Sequence, residues 1–287
     1  MRVPFLLLAP ACVLLGIGTA VGEVGHISKF SAFFALVGGV TAHISVNALN
    51  EYLDCLSGLD SRTQRTPFSG GSGVLPRQPE MARVALITGL VALAITAVIG
   101  IGFAIHRGPG ILPLGLVGVL VIAAYTPWLT RRPVLCLLTP GLGFGTLMVM
   151  GTHFVLTGHY SWTSFVASLV PFFLVNDLLL LNQFPDIEAD RSVGRKHVLI
   201  VWGPHRSSLI YGLFLAATYL SILAGIGGGL LPKMCSLGLL TLPLAIPTMI
   251  GVHRHAREIP KLLPYLGLNV ILNLATPVLV AIGFFVP

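Results

Sequence analysis

Residues 84–105 read VALITGLVALAITAVIGIGFAI, a run without a single charged side chain, bounded by Arg83 on one side and His106-Arg107 on the other. About 20 apolar residues in a helix cross the hydrocarbon core of a bilayer. The rest of the chain repeats the pattern. Hydrophobic residues make up 55% of its 287 positions and charged residues 9%, with a mean hydropathy of +0.90. Soluble domains carry about 25% charged residues, so this chain has too little charge to cover a water-facing surface. The composition predicts an all-α, polytopic membrane protein.

Apolar runs bounded by Pro, Gly or charge predict nine spans, at residues 4–21, 29–49, 82–105, 111–129, 133–157, 162–183, 207–228, 234–252 and 262–286. The 33 glycines and 20 prolines do not oppose this, since both are commoner in membrane helices than in soluble ones. No soluble domain or linker is evident, and residues 1–287 read as one domain. The first run, with basic Arg2 and small residues near its end, also has the look of a signal peptide. Removing it would leave eight spans without changing the side on which any later loop lies.

The cations test the count. If the chain alternates sides at each span, fourteen of the seventeen Lys and Arg residues fall on the side of the N-terminus, and only Lys29, Arg107 and Lys233 on the other. A missed or invented span in the middle would scramble this bias, which marks the cation-rich side as cytoplasmic. The net charge of +7 is thereby explained by loops and gives no reason to invoke nucleic acid. Nothing in the sequence implies a protein partner. No organellar transit segment is evident, since the chain enters its first span after three residues, and the expected location is a prokaryotic cytoplasmic membrane. The four cysteines, Cys12, Cys55, Cys136 and Cys235, are too scattered for a disulfide framework or a zinc site.

Six of the ten acids cluster in two short segments, both on the cation-rich side: NALNEYLDCLSGLD (47–60) and NQFPDIEADRSVGRK (182–196). At about 100° per residue, Asn50 and Asp54 share a helix face, as do Asn182, Asp186 and Asp190 at i, i+4 and i+8. Gly58 permits the chain to leave the first helix and turn Asp60 back toward Asp54. Glu51 and Glu188 lie off the shared faces and read as bystanders. Four converging aspartates repel one another unless cations sit among them, and Mg²⁺ takes one or two carboxylates together with phosphate oxygens. Arg62, Arg65, Arg131, Arg132, Arg191, Arg195 and Lys196 supply positive charge nearby for an anion. Carboxylates, cations and an apolar interior together describe a ligand with a diphosphate head and a hydrocarbon tail. Asp177 falls inside the sixth span, where a carboxylate is a functional candidate by default. It lies about half a turn around the helix from Asp186 and is not assigned to the same site.

These segments resemble the two aspartate motifs of the UbiA superfamily of intramembrane aromatic prenyltransferases. Asn50-x3-Asp54-x5-Asp60 is similar to the N-D-Y-x-D-x-x-x-G-x-D form of the branch that prenylates 1,4-dihydroxy-2-naphthoate in menaquinone biosynthesis. NQFPDIEADRSVGRKHVLIVWG (182–203) is similar to that branch's N-N-x-R-D-x-x-x-D-x-x-x-G-K-x-T-L, as are Tyr125–Pro127 and GFGTLMVMGTHFVLTG (143–158) to its intervening sequence. The resemblance implies a nine-helix transmembrane bundle around a central, lipid-accessible cavity. It implies Mg²⁺ and prenyl diphosphate held by Asp54, Asp60, Asp186 and Asp190, with Asn50 and Asn182 coordinating or orienting. Arg62, Arg65, Arg131 and Lys196 are the expected diphosphate contacts. Phe144, His153, Phe154 and Tyr160 are candidates for the cavity wall, with core packing the commoner role for such residues. Departures from the pattern fall at Glu51, Gln183, Pro185 and His197. The implied reaction is transfer of a polyprenyl group to an aromatic acceptor. The same bundle also suits 4-hydroxybenzoate, a tocopherol-type head group, a chlorophyll precursor, haem or a glycerol phosphate ether as acceptor. Ion transport and non-catalytic binding of a lipid diphosphate are the readings from other classes.

Overall fold

A computed structural model describes residues 3–63 and 65–286; Arg2, counted above among the cytoplasmic cations, lies outside them. The chain forms α1 (Leu8–Val24), α2 (Lys29–Leu56), α3 (Ala82–Arg107), α4 (Leu112–Ala124), α5 (Pro133–Gly141), α6 (Met148–Thr157), α7 (Trp162–Asn182), α8 (Ile187–Ser192), α9 (Val198–Gly227), α10 (Leu242–Arg254) and α11 (Ile259–Ile282). Among the described residues there is no strand. Among the described residues eight helical stretches are long and apolar enough to cross a membrane, and Pro109–Ala124 is a shorter ninth. The nine expected spans are all present.

Several boundaries differ from expectation, and the second span runs on to Leu56 rather than 49. The fourth span stops at Ala124 rather than 129, because Pro127 disfavours helical geometry at the residue before it. The seventh begins at Val198 rather than 207 and is broken at Gly203, whose φ of 82° precedes Pro204. The eighth opens with tight 3₁₀ turns over Lys233–Thr241 before becoming α10.

α7 is the buried axis of the bundle, with 67% of its apolar window inside, against 17% for α2 and 11% for α3. Its small residues Ser164, Ala167 and Ser168 and its larger Leu174, Val175, Leu178 and Leu181 are all buried. Between α5 and α6 the span passes through one π-helical stretch, Leu142–Leu147. Pro140 removes a backbone donor there. Asn176 of α7 meets the disturbed backbone by accepting from the Gly141 N–H at 2.6 Å. The approach is close enough that a Cβ on Gly141 would lie 2.1 Å from the Phe172 carbonyl oxygen, and one on Gly145 would lie 2.5 Å from the Phe172 nitrogen. Small residues allow membrane helices to meet at this range, where packing rather than the hydrophobic effect holds them together.

Outward, α2 and α3 expose Phe30, Phe33, Ile87, Leu90, Val98 and Ile105. An apolar surface of that extent marks contact with lipid. The protein is an integral membrane protein with a polarised interior. Inserting a β-branched side chain at Gly141 separates the π turn from α7. Gly141→Val is expected to lower stability by about 1–3 kcal/mol. Gly102→Val, where an added Cβ meets nothing within 4 Å, is expected to leave it unchanged. Thermal unfolding of both variants in detergent checks this.

Candidate active site

One face of α2 carries His43, Asn47, Asn50 and Asp54, spaced by four, three and four residues, and all four line a cavity of about 1180 Å³. That exceeds the roughly 300–1,000 Å³ of ordinary small-molecule pockets. Most of its wall is apolar, including Phe34, Ile99, Phe103, Val119, Phe144 and Leu147. Ile101, Leu112 and Leu116 line it too, yet are largely exposed; α4 contributes no buried residue. The wall formed by α3 and α4 is therefore thin, and the cavity reaches the lipid-facing surface there. Of the aromatic and imidazole candidates named from the sequence, Phe144 lines the cavity, with its ring 4.5 Å from that of His43. His153, Phe154 and Tyr160 do not line it.

The polar end of the cavity is assembled from two helix breaks. α2 ends at Leu56, Gly58 takes a φ of 72°, and the Leu59 N–H donates to the Asp54 carbonyl at 3.1 Å. This reversal returns Asp60 to the cavity, buried beside Asp54. The second motif is not one continuous helix. α7 stops at Asn182, a turn follows over 183–186, and Asp186 stands at the N-terminus of α8. Pro185, which lacks an N–H, accounts for the interruption. Helical spacing resumes at once, with the Asp190 N–H donating to the Asp186 carbonyl at 2.9 Å. Asn182, Asp186 and Asp190 all line the cavity.

Asn50 orients its neighbour: Nδ2 donates to Asp54 Oδ2 at 2.8 Å, while Oδ1 accepts from the Thr126 hydroxyl at 2.9 Å. Arg195 joins the two motifs. Its guanidinium donates to Asp190 Oδ1 at 2.8 Å and, through its other terminal nitrogen, to Asp54 Oδ1. Burial works against the charge on Arg195, but Asp54 and Asp190 together hold it protonated beyond its ordinary range. His197 Nε2 completes the contact set of Asp190 at 3.0 Å from Oδ2. Burial and then Glu51 push the Asp60 carboxyl above its usual range, with Arg65 and Arg195 acting in the opposite direction. A glycine-rich loop roofs this end. The Gly70 N–H donates to Asp186 Oδ2 at 3.2 Å, and the Ser72 N–H to Glu51 Oε1 at 3.1 Å.

The structure departs from the sequence reading in which cations it brings inward. Arg62, Arg65, Arg131 and Lys196 are all exposed and none lines the cavity. Arg62 donates to Ser192 Oγ at 3.2 Å, strapping the two acidic loops together from outside. Arg65 packs its guanidinium against Gly73. Lys196 contributes its backbone N–H to the Thr130 carbonyl at 3.0 Å, while its side chain faces out. Arg195, one of seven similar cations in the sequence, is the one at the cavity. Gly194, with φ of 80°, supplies the turn that sends it inward. Glu51, read as a bystander, lines the cavity; Glu188 lies outside it, paired with Arg191 at 2.9 Å. Asp177 is fully buried and does not line the cavity.

Among the described residues the lining thus holds five carboxylates, those of Glu51, Asp54, Asp60, Asp186 and Asp190, against one guanidinium. Such an excess of hard oxygen donors suits Mg²⁺. Among the described residues, no three of these carboxylates bring ligand atoms within 4.8 Å of one another. The donors are therefore spread around the mouth of the cavity instead of gathered at one point.

The sequence model of the UbiA prenyltransferase family matches residues 9–284. Over 210 residues the chain is 30% identical to 1,4-dihydroxy-2-naphthoate octaprenyltransferase of Escherichia coli (strain K12), covering 68% of this chain and 65% of that one. Over 183 residues it is 26% identical to the protein of the same name from Bacillus subtilis (strain 168), covering 62% and 56%. The match thus spans less than two thirds of either relative. Its fold is similar to that of a UbiA homolog from Aeropyrum pernix K1, with a TM-score of 0.71 at 18% identity, covering 100% of this chain and 98% of that one. A UbiA homolog from Archaeoglobus fulgidus bound to GPP and Mg²⁺ gives a TM-score of 0.59 at 18% identity, covering 98% and 99%.

Removing the guanidinium leaves two buried carboxylates facing each other. Arg195→Gln is expected to cost about 3–5 kcal/mol of stability in the absence of divalent cations. Arg195→Lys, which cannot span both carboxylates with a planar fork, is expected to fall between. Unfolding midpoints in chelator-treated detergent samples test this, and an unchanged midpoint for Arg195→Gln would refute the cross-link.

Proposed function

The chain belongs to the UbiA prenyltransferase family, and from that premise we propose that it transfers a polyprenyl group from a prenyl diphosphate to an aromatic quinone precursor, 1,4-dihydroxy-2-naphthoate. The observation that carries this reading is the joining of a carboxylate-rich end, five acids to one guanidinium, to a long apolar cavity that reaches the lipid surface. A polyprenyl diphosphate has the same division between an anionic head and a hydrocarbon tail. The acceptor is chosen on the two naphthoate-prenylating relatives and on the form of both aspartate motifs.

Asp54 and Asp60 would hold one part of the metal–diphosphate, and Asp186, Asp190 and Asn182 the other. Bound Mg²⁺ would neutralise charge on the departing diphosphate. Asn50 keeps the Asp54 carboxylate oriented toward the site. Among the described residues Arg195 is the cation that lines the cavity, which would make it a donor that follows negative charge as the allylic C–O bond breaks. The apolar wall from α2, α3, α4 and the π turn excludes water from the allylic cation. The acceptor ring carbon then forms the new C–C bond with the allylic carbon, and the ring regains aromaticity by losing its carboxyl group as CO₂ or a proton. The cation bias of the loops supports a cytoplasmic mouth, with the N-terminus on that side and the C-terminus outside.

Asp54→Asn and Asp186→Asn each remove a formal charge while preserving shape. Both are expected to lower the rate of prenylated naphthoquinol formation by about 10²-fold or more, and chelation of divalent metal to abolish it. Product mass spectrometry with geranylgeranyl diphosphate and 1,4-dihydroxy-2-naphthoate checks both. Diphosphate release without a prenylated ring would retain the ionisation and overturn the acceptor.

A further inference from the structure

At the opposite end of the bundle from the aspartates, three side chains converge that the proposed reaction does not use. Glu23 stands at the end of α1, His153 in α6, and His159 just beyond α6. α2 alone, with 28 residues at about 1.5 Å each, separates the two membrane faces by roughly 40 Å. α6 ends at Gly158, whose left-handed φ of 92° folds the chain back, so that the His159 ring meets the His153 ring edge-on at 5.9 Å. One carboxylate oxygen of Glu23 and one nitrogen of each imidazole lie within 4.8 Å of one another.

The contacts around His153 allow its Nε2 to be bare. The Thr19 hydroxyl donates its only proton to the Gly16 carbonyl at 2.8 Å. With that proton on Gly16, the imidazole is the donor in the 3.0 Å contact between Thr19 Oγ1 and His153 Nδ1, and this is the tautomer the site requires; the other tautomer would turn Nε2–H toward Glu23. In the required tautomer Nε2 is left with a lone pair. It is fully buried, has no hydrogen-bond partner among the described residues, and faces Glu23 Oε2 at 3.4 Å. His159 Nε2 contacts the other carboxylate oxygen, Oε1. A bare Nε2 and a carboxylate oxygen facing each other repel unless a proton or a metal cation lies between them.

We infer that Glu23, His153 and His159 form a binding site for a first-row transition-metal dication of the zinc type, separate from the aspartate site. Imidazole nitrogen suits Zn²⁺ and its neighbours, whereas Mg²⁺ prefers oxygen. A tetrahedral zinc with bonds of about 2.0–2.1 Å has ligand–ligand edges of roughly 3.3–3.4 Å, matching the His153–Glu23 spacing. The contact between His153 Nδ1–H and the Thr19 hydroxyl has the form of the outer partner that holds a metal-binding imidazole in its tautomer. Glu23 and His159 are partly exposed, with side-chain exposures of 31% and 53%. The fourth position is thereby left for water or an external ligand.

The test uses protein freed of its purification tag, treated with chelator, and carrying Asp54→Asn and Asp186→Asn to disable the other site. Co²⁺ titration should produce visible d–d absorption saturating at one equivalent per chain, displaced by one equivalent of Zn²⁺ and resistant to millimolar Mg²⁺. His159→Ala, a change at a half-exposed turn, should abolish the bands. Glu23→Gln should weaken binding, and Thr19→Val, which removes only the outer hydroxyl, should do so by about 10- to 100-fold. Absence of Co²⁺ binding in the unsubstituted triad overturns the proposal and leaves an imidazolium–carboxylate pair. Bands that survive in His159→Ala overturn it equally.

Discussion

Carboxylates crowded at the rim of an apolar cavity repel one another, and much of this architecture serves to hold them there. Among the described residues five line the cavity with a single guanidinium among them. Arg195 spans the two motifs, Asn50 and His197 each fix one aspartate, and amides of the glycine-rich loop reach Asp186 and Glu51. At an effective dielectric constant near 20, two like charges 4 Å apart repel by about 4 kcal/mol. Repulsion of that size persists in a folded protein when the charges serve a ligand. A site that must receive a multivalent anion together with its cations has reason to keep carboxylates separated and undersupplied with counter-charge.

The membrane sets the second constraint. Every backbone polar group inside it must find a partner within the protein, yet a cavity wall needs irregular backbone to give it shape. The π turn at Leu142–Leu147 reconciles these demands. Asn176 supplies a side-chain acceptor for Gly141, and Gly141 and Gly145 admit the α7 backbone at contact distance. Gly143, Phe144 and Leu147 on the same turn face the cavity. The packing that anchors the bundle to its central helix therefore also places part of the apolar wall.

The spans and the two aspartate motifs were legible in the sequence because each rests on local pattern: runs of apolar residues, and helical spacing read across a few turns. Gly58 could be read as a reversal because only one residue type turns so freely. What stayed hidden depended on three-dimensional direction. Arg62, Arg65, Arg131, Lys196 and Arg195 look alike in sequence, since loop cations that set topology and a cation that faces a ligand use the same side chains. Gly194 immediately before Arg195 was the one local hint. Pro185 marked the break between α7 and α8, yet helical phase alone suggested a continuous face; the turn restored convergence by a different path. Glu51 was placed off the shared face by the same phase argument, and the loop at Ser72 folded back to meet it. The Glu23–His153–His159 group had no local signature, because its carboxylate and its imidazoles lie more than a hundred residues apart.

The central claim is that both aspartate motifs act together on one metal–diphosphate at the mouth of the apolar cavity. The most direct measurement is an experimental structure of the protein in lipid with Mg²⁺ and a prenyl thiolodiphosphate that cannot ionise. The diphosphate should lie between the end of α2 and α8, with metal density touching Asp54 or Asp60 on one side and Asp186 or Asp190 on the other. Arg195 should contact a phosphate oxygen, and the tail should lie along α3 and α4. A diphosphate bound elsewhere, or held by one motif with the other still tied to Arg195 alone, would contradict it.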